Sequence, residues 1–192
     1  MVLSAFDWEA IMKDALPYDE FLQRHATEAQ RQRWEAADAR VNLTVAQRDL
    51  LGGFVRRMPV LCLVGAWCGD CAHEIPILHQ IALAAPQAIE LRLLDRDARA
   101  DLRDALARNG GHRVPEVVFL SEDWQVCSIA GDRALAFYRQ MAKDQLGPSC
   151  PTGIVPPGEA LLREATAQWL DEFERIQLML RLTRRLREVH GD

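Results

Sequence analysis

Two cysteines separated by two residues, Cys68 and Cys71 in the run Ala66-Trp67-Cys68-Gly69-Asp70-Cys71, are the side chains whose type and spacing point most directly to chemistry. They follow an apolar run, Val60-Leu61-Cys62-Leu63-Val64, bounded by Pro59 and Gly65, the pattern of a strand buried on both faces. A helical pattern comes next: between about Asp70 and Ala84 the residues Ile75, Leu78, Ile81 and Ala82 form a stripe, and Pro76 within it predicts a kink. Cys68 therefore falls at a helix N-terminus and Cys71 one turn inside. Unpaired backbone N–H groups and the positive end of the helix dipole favour the thiolate at Cys68, and the thiolate is the attacking species. Attack by Cys68 on a substrate disulfide would give a mixed disulfide, which Cys71 would resolve, leaving Cys68 joined to Cys71 and the substrate reduced.

The elements that must position this pair extend to both sides. Ile89 to Leu94 reads as a strand and Ala98 to Arg108 as a helix closed by Asn109-Gly110-Gly111, so the order is β-α-β-α. Residues 116–120 and 124–129 read as a hairpin turning at Ser121-Glu122-Asp123, which makes the sheet mixed. A helix is expected over 132–146, a loop over 147–158, where seven residues are Gly or Pro, and a long helical stripe over 159–190. Upstream, residues 7–57 read as helices: Pro17 separates two runs, and Thr44 with Gln47 forms a capping box opening a helix whose apolar side carries Val45, Leu50, Leu51 and Phe54. The organisation is thus a helical N-terminal extension over 1–57, a core over 58–146, the loop over 147–158 and a C-terminal helix over 159–192, all packed as one domain. There is no internal repeat.

The motif Ala66-Trp67-Cys68-Gly69-Asp70-Cys71 resembles the active-site motif of the thioredoxin family. Pro76 stands five residues after Cys71, where the family kinks its active-site helix; Val114-Pro115 precedes a strand, as the family's cis-proline does; and Gly131 lies sixteen residues beyond Pro115. The resemblance covers residues 55 to 146. It implies an α/β thioredoxin-like fold, a mixed central sheet flanked by helices, and a thiol–disulfide oxidoreductase with Cys68 as nucleophile and Cys71 as resolving thiol. It further implies that Trp67 and the backbone of Val114, before a cis Pro115, shape the docking surface, and that Gly69 and Asp70 tune the pair. The only redox group implied is the Cys68–Cys71 disulfide, with no metal and no organic cofactor. The substrate would be a disulfide-containing protein or a small thiol/disulfide, with electrons from a reductase or a low-molecular-weight thiol.

Three positions depart from the family pattern. Cys62 stands six residues before Cys68, where a buried carboxylate is often found, so the proton of Cys71 needs another acceptor; Glu74 or His73 is the nearest substitute, although solvated helix positions are the expected setting for both. Asp70 replaces a proline, and its charge repels a nearby thiolate, which favours a reducing pair. Glu116 after Pro115 adds negative charge that would select against acidic substrates.

Composition narrows the function classes. With 23 Lys+Arg against 28 Asp+Glu, the formal net charge is −5, which argues against nucleic acid or an anionic membrane as the main partner. Hydrophobic residues at 49% and charged residues at 27% exclude a disordered chain. The longest nearly apolar stretch, Met58 to Trp67, is about half of the ~20 residues a membrane span requires. Met1 to Asp7 has no basic or long apolar segment of a secretory signal, and five cysteines are too few for a disulfide scaffold, so a reducing cytoplasm is expected. Cys62 and Cys127 read as small buried hydrophobes, Cys150 as an exposed loop thiol, and His25, His112 and His190 as surface residues. Cys68, Cys71, His73 and His79 lie along one helix, a poor arrangement for zinc. Arg181, Arg184, Arg185 and Arg187 read as the solvated end of the last helix. The apolar stripes of the terminal helices pack on the core or form a homodimer contact. Two rival readings remain open at this level: a thioredoxin-fold binding or scaffold protein whose helical extensions form the functional surface, favoured if those helices cap Trp67 and Pro115, and a redox sensor whose Cys68–Cys71 oxidation shifts those helices.

Overall fold

The run Met58–Val64 is buried at every residue, and in the computed structural model, which describes residues 3–145 and 157–192, it forms strand β1. Its side chains alternate between two cores, with Val60, Cys62 and Val64 entering one cluster and Leu61 and Leu63 the other. A strand apolar on both faces is stable only between two covered faces, which is why helices must lie on each side. The sheet has the order β2-β1-β3-β4. Strand β2 (Ile89–Asp95) runs parallel to β1, with Met58 opposite Ile89 and Val64 opposite Asp95. Strand β3 (Glu116–Leu120) is antiparallel to β1, with Leu63 opposite Glu116, and β4 (Val126–Gly131) is antiparallel to β3. The fold is therefore the mixed α/β sheet expected from the sequence. The outer edge of β2 is met by Leu16, whose N–H and carbonyl both pair with Leu93, at 2.8 and 2.7 Å.

Helix α1 (Trp8–Asp14), capped by the Asp7 carboxylate on the Ala10 N–H, and helix α6 (Ala100–Ala105) cover one face through Trp8, Ile11, Met12 and Leu102. The other face receives α2 (Tyr18–His25), α3 (Glu28–Asp38), α4 (Val45–Gly52), α5 (Gly69–Ala84) and α8 (Glu159–Leu182). Capping boxes open both α3, through Thr27 and Gln30, and α4, through Thr44 and Gln47. From α8, Phe173 meets Phe119 of β3 edge-on at 5.0 Å between ring centroids. Gln177 of α8 also acts as a backbone surrogate: its side chain accepts from the N–H groups of Val55 and Arg56 and donates to the Arg56 carbonyl, holding the approach to β1. Among the described residues, no helix is long and apolar enough to cross a membrane.

Several boundaries differ from the sequence reading. The helix expected over 98–108 is the short α6, because Asn109 and Gly110 have positive φ (48° and 72°) and Arg108 already pairs with Gly111 in a turn. The second hairpin strand starts at Val126, because the Ser121 hydroxyl captures the Gln125 N–H and Trp124 takes a left-handed φ of 64°. Helix α7 (Leu135–Gln145) starts later than 132, since Asp132 and Arg133 are drawn into the site described below. The C-terminal stripe breaks at Thr183, which is extended (ψ 118°), separating α8 from α9 (Arg184–His190). Val45, expected on the buried side of α4, is 76% exposed, because its place directly after the Thr44 cap turns it outward. Arg185 is not simply solvated but pairs with Asp123 at 2.7 Å, tying α9 to the hairpin. Residues 147–156 of the expected loop, with Cys150, lie outside the described residues.

Candidate dithiol site

Strand β1 ends at Val64, and the chain turns through Gly65-Ala66-Trp67 before α5 begins. A Cβ at Gly65 would lie 2.7 Å from the Trp67 indole, which folds back over this backbone, so a larger residue there would push that indole aside. From α3, the indole N–H of the fully buried Trp34 donates to the Ala66 carbonyl at 3.1 Å and braces the turn. Cys68 is the N-cap of α5, with its sulfur accepting from the Cys71 N–H at 3.5 Å. The two cysteines approach to 3.6 Å, and the Cys68 thiol donates to the Val114 carbonyl at 3.5 Å. Cys68 keeps 8% of its surface exposed, whereas Cys71 is fully buried.

These surroundings separate the two thiols. The Cys71 thiol hydrogen-bonded to Cys68 lowers the latter to about 7, against burial and the Asp70 carboxylate charge and aided by backbone N–H groups of Cys71 and Asp70. Burial pushes Cys71 well above the ordinary thiol range, and Cys68 adds to this. The thinly exposed Cys68 thus ionises near neutral pH, while Cys71 stays a protected thiol.

The Val114–Pro115 peptide is cis, and Pro115 is buried beside the pair. Gly131 at the end of β4 packs against it: with φ of +138°, a Cβ there would lie 2.4 Å from the Pro115 carbonyl oxygen. Trp67 is 50% exposed, with the Arg96 guanidinium 4.7 Å from its ring centroid, so no described helix caps this side of the site. The half-exposed Trp67 is thus not covered by the terminal helices among the described residues.

Asp70, in the spacer between the cysteines, is not a free charge. The Arg133 side chain, from the segment between β4 and α7, forks onto both of its carboxylate oxygens, with Nε to Oδ1 at 2.8 Å. Asp70 still raises the Cys68 thiol, as expected from its charge, but the Cys71 hydrogen bond and the backbone N–H groups outweigh it. Glu116 is also not a surface charge: it is 1% exposed and takes two hydrogen bonds from Arg108, at 2.9 and 2.7 Å, while burial raises its carboxyl.

Glu74 and His73, weighed as proton acceptors and expected to be solvated, differ from that expectation. Glu74 is 1% exposed; one oxygen accepts from the Ala134 N–H at 2.8 Å and the other from the Trp169 indole of α8. Burial raises Glu74 to about 7. It lies three residues after Cys71 on α5, and thus on the same side of the helix. His73 lines a groove with Arg33, Arg40 and Leu162, and burial lowers its imidazole. His79 pairs with Asp38 at 2.8 Å, and among the described residues no three His, Cys, Asp or Glu side chains converge. Cys62 is buried and its thiol raised by burial, whereas Cys127 is only half-buried.

Sequence reasoning did not find Arg133, Arg96, Trp34 or Trp169. Arg133 is signalled only by following Gly131-Asp132, Trp169 only as a member of the C-terminal apolar stripe, and Arg96 and Trp34 by nothing in their local pattern.

Comparison with known proteins agrees with this geometry. A solved Pseudomonas aeruginosa protein of unknown function matches with a TM-score of 0.71 at 19% identity, covering 89% of this chain and 99% of its own. An HIV epitope-scaffold matches with a TM-score of 0.65 at 18% identity, covering 88% and 99%. At these identities the likeness is one of fold. No curated protein matches. A family model described as thioredoxin matches residues 15–145, well over half of the chain. The fold, the buried strand delivering the two cysteines, and this match together place the chain in the thioredoxin family.

Proposed function

We propose that the protein is a thiol–disulfide oxidoreductase that reduces disulfides of proteins or small molecules through Cys68 and Cys71. The observation that carries this reading is the division of labour in the pair: Cys68 acidic, near 7, and reachable, Cys71 buried and protonated 3.6 Å away. The Cys68 thiolate attacks one sulfur of the substrate disulfide; that S–S bond breaks, and the departing thiolate takes a proton. Cys71 then loses its proton and attacks Cys68, breaking the mixed disulfide and releasing the second substrate thiol. Two electrons have passed to the substrate, and the Cys68–Cys71 disulfide remains. Glu74, buried on the Cys71 side of α5 with an affinity for protons near neutrality, is the stronger of the two acceptor assignments; His73 faces the Arg33–Arg40 groove. A low-molecular-weight thiol or a reductase returns the electrons, and no metal or organic cofactor takes part. The half-exposed Trp67 and the Val114 backbone form the docking edge, where an extended substrate segment pairs with the main chain. A thiol held near 7 suits a reducing couple, whereas a strong oxidant holds its nucleophile nearer ~3.5.

The test is a redox titration of the purified protein in a defined thiol/disulfide buffer, with alkylation and mass mapping of Cys68 and Cys71 and Cys68→Ser as control. A two-electron couple near ~ −270 mV is expected; a value near ~ −120 mV would reverse the direction to oxidation. Failure to form the Cys68–Cys71 disulfide at any poise would remove the enzymatic reading altogether.

A further inference from the structure

The spacer carboxylate at Asp70 raises a physical difficulty. An unopposed negative charge one residue from the helix N-terminus, between the two sulfurs in sequence, works against a thiolate at Cys68. The structure offers a single cation to it: Arg133 is the ion-pair partner of Asp70 among the described residues. Its guanidinium presents Nε and one terminal nitrogen to the two carboxylate oxygens, the forked arrangement that fixes orientation as well as charge.

Arg133 is itself held. Its remaining terminal nitrogen donates to Asp132 at 3.2 Å, and its guanidinium lies 5.6 Å from the Tyr138 ring centroid. Asp132 is almost wholly buried; it also accepts from Arg113 at 3.1 Å and from the Tyr138 hydroxyl, and these bonds outweigh burial to keep its carboxyl below the usual range. The Arg133 side chain is 17% exposed and that of Asp70 34%, so the pair is screened less than a surface pair. The titratable groups bearing on Cys68 are Cys71 and Asp70 from its own helix, and Asp70 is faced from the β4–α7 segment by Arg133.

We propose that Arg133 is a positioning residue of the dithiol site: by clamping Asp70 from across the fold, it holds the carboxylate in one orientation and offsets part of its charge, so that the acidic spacer raises Cys68 less than an unpaired carboxylate would. The inference rests on the oxidoreductase reading for its purpose but not for its test. The Cys68 thiolate is read by alkylation whether or not the pair passes electrons.

The experiment follows the pH dependence of Cys68 alkylation by the neutral reagent iodoacetamide in the full chain, with mass mapping. In Arg133→Met the midpoint is expected to rise by about one pH unit, slowing alkylation at pH 7 about fivefold. In Asp70→Asn the midpoint stays near the wild-type value or falls, and adding Arg133→Met to Asp70→Asn leaves it unchanged. An unchanged midpoint in Arg133→Met overturns the proposal. An equal rise with and without Asp70 also overturns it, because Arg133 would then act on Cys68 directly. Should Arg133→Met fail to fold, Arg133→Lys, which keeps the charge but loses the fork, is expected to give a smaller rise that vanishes in Asp70→Asn; no rise there counts equally against the proposal. A protein that shows these shifts yet forms no Cys68–Cys71 disulfide would retain the Arg133 assignment and lose the oxidoreductase one.

Discussion

At the scale of single residues, the least expected feature is a carboxylate, Glu74, buried against two N–H donors with no cation paired to it among the described residues. Burial of a carboxylate raises its proton affinity, here to about 7 from the usual 4.5. The folded chain then binds a proton between these values that the unfolded chain has lost, so the contribution of Glu74 to stability is full below about 4.5 and is lost as pH rises through about 7. The loss amounts to about 3 kcal/mol for this one group. Denaturant unfolding at pH 5 and pH 8 should therefore show a smaller free energy at the higher pH, and Glu74→Gln should abolish that part of the difference. The same variant loses one of its two acceptors, so a uniform cost of about 1 kcal/mol at both pH values is expected as well. An undiminished pH difference in Glu74→Gln would assign the decline to other groups.

At the scale of elements, the contact between the end of β4 and the Pro115 segment constrains the site most tightly. Gly131 combines a φ of +138° with a Cβ position 2.4 Å from the Pro115 oxygen, so no other residue fits without displacing the backbone that faces Cys68. Gly131→Ala should cost at least about 3 kcal/mol. Protein that still folds should show a displaced Val114 carbonyl, seen as a changed Cys68 alkylation rate, whereas a Gly131→Ala protein of wild-type stability would refute the clash. The spacing of Cys68, Pro115 and Gly131 was legible in the sequence because each is fixed by local backbone demands: a helix N-terminus, a proline and a glycine. Strand β1 was legible because a run of apolar residues has few other uses. The start of β4 was not, since a side-chain hydroxyl from Ser121 captures the backbone N–H that the alternation pattern assigns to the strand. The Asp70–Arg133 and Glu74–Trp169 pairs were not legible for a different reason: their members are 63 and 95 residues apart, and no local pattern encodes such a meeting.

At the scale of the whole molecule, the terminal helices are structural members of the core. Trp34 of α3 holds the turn before Cys68, and Trp169, Phe173 and Gln177 of α8 hold α5, β3 and the approach to β1. Gln177→Ala would leave two N–H groups and one carbonyl at Val55 and Arg56 without partners, a cost of about 2–4 kcal/mol measurable by thermal or denaturant unfolding. A change under about 0.5 kcal/mol would mean that water replaces the amide there. The sequence reading recognised that these helices had apolar stripes to bury but not which surfaces they would meet, because a stripe specifies a face and not its partner.

The Leu16–Leu93 bridge gives the sheet a particular valency. With the centre of the β2 edge occupied by the chain's own N-terminal segment, β4 is the one margin among the described strands without a partner strand. Open-ended stacking of sheets requires two receptive margins per molecule, whereas one margin can be consumed only once, by a twin in a closed pair. Strand-to-strand association of this protein would thus terminate at two copies, and loosening the Leu16 segment would be what turns a self-limiting encounter into a fibre-forming one.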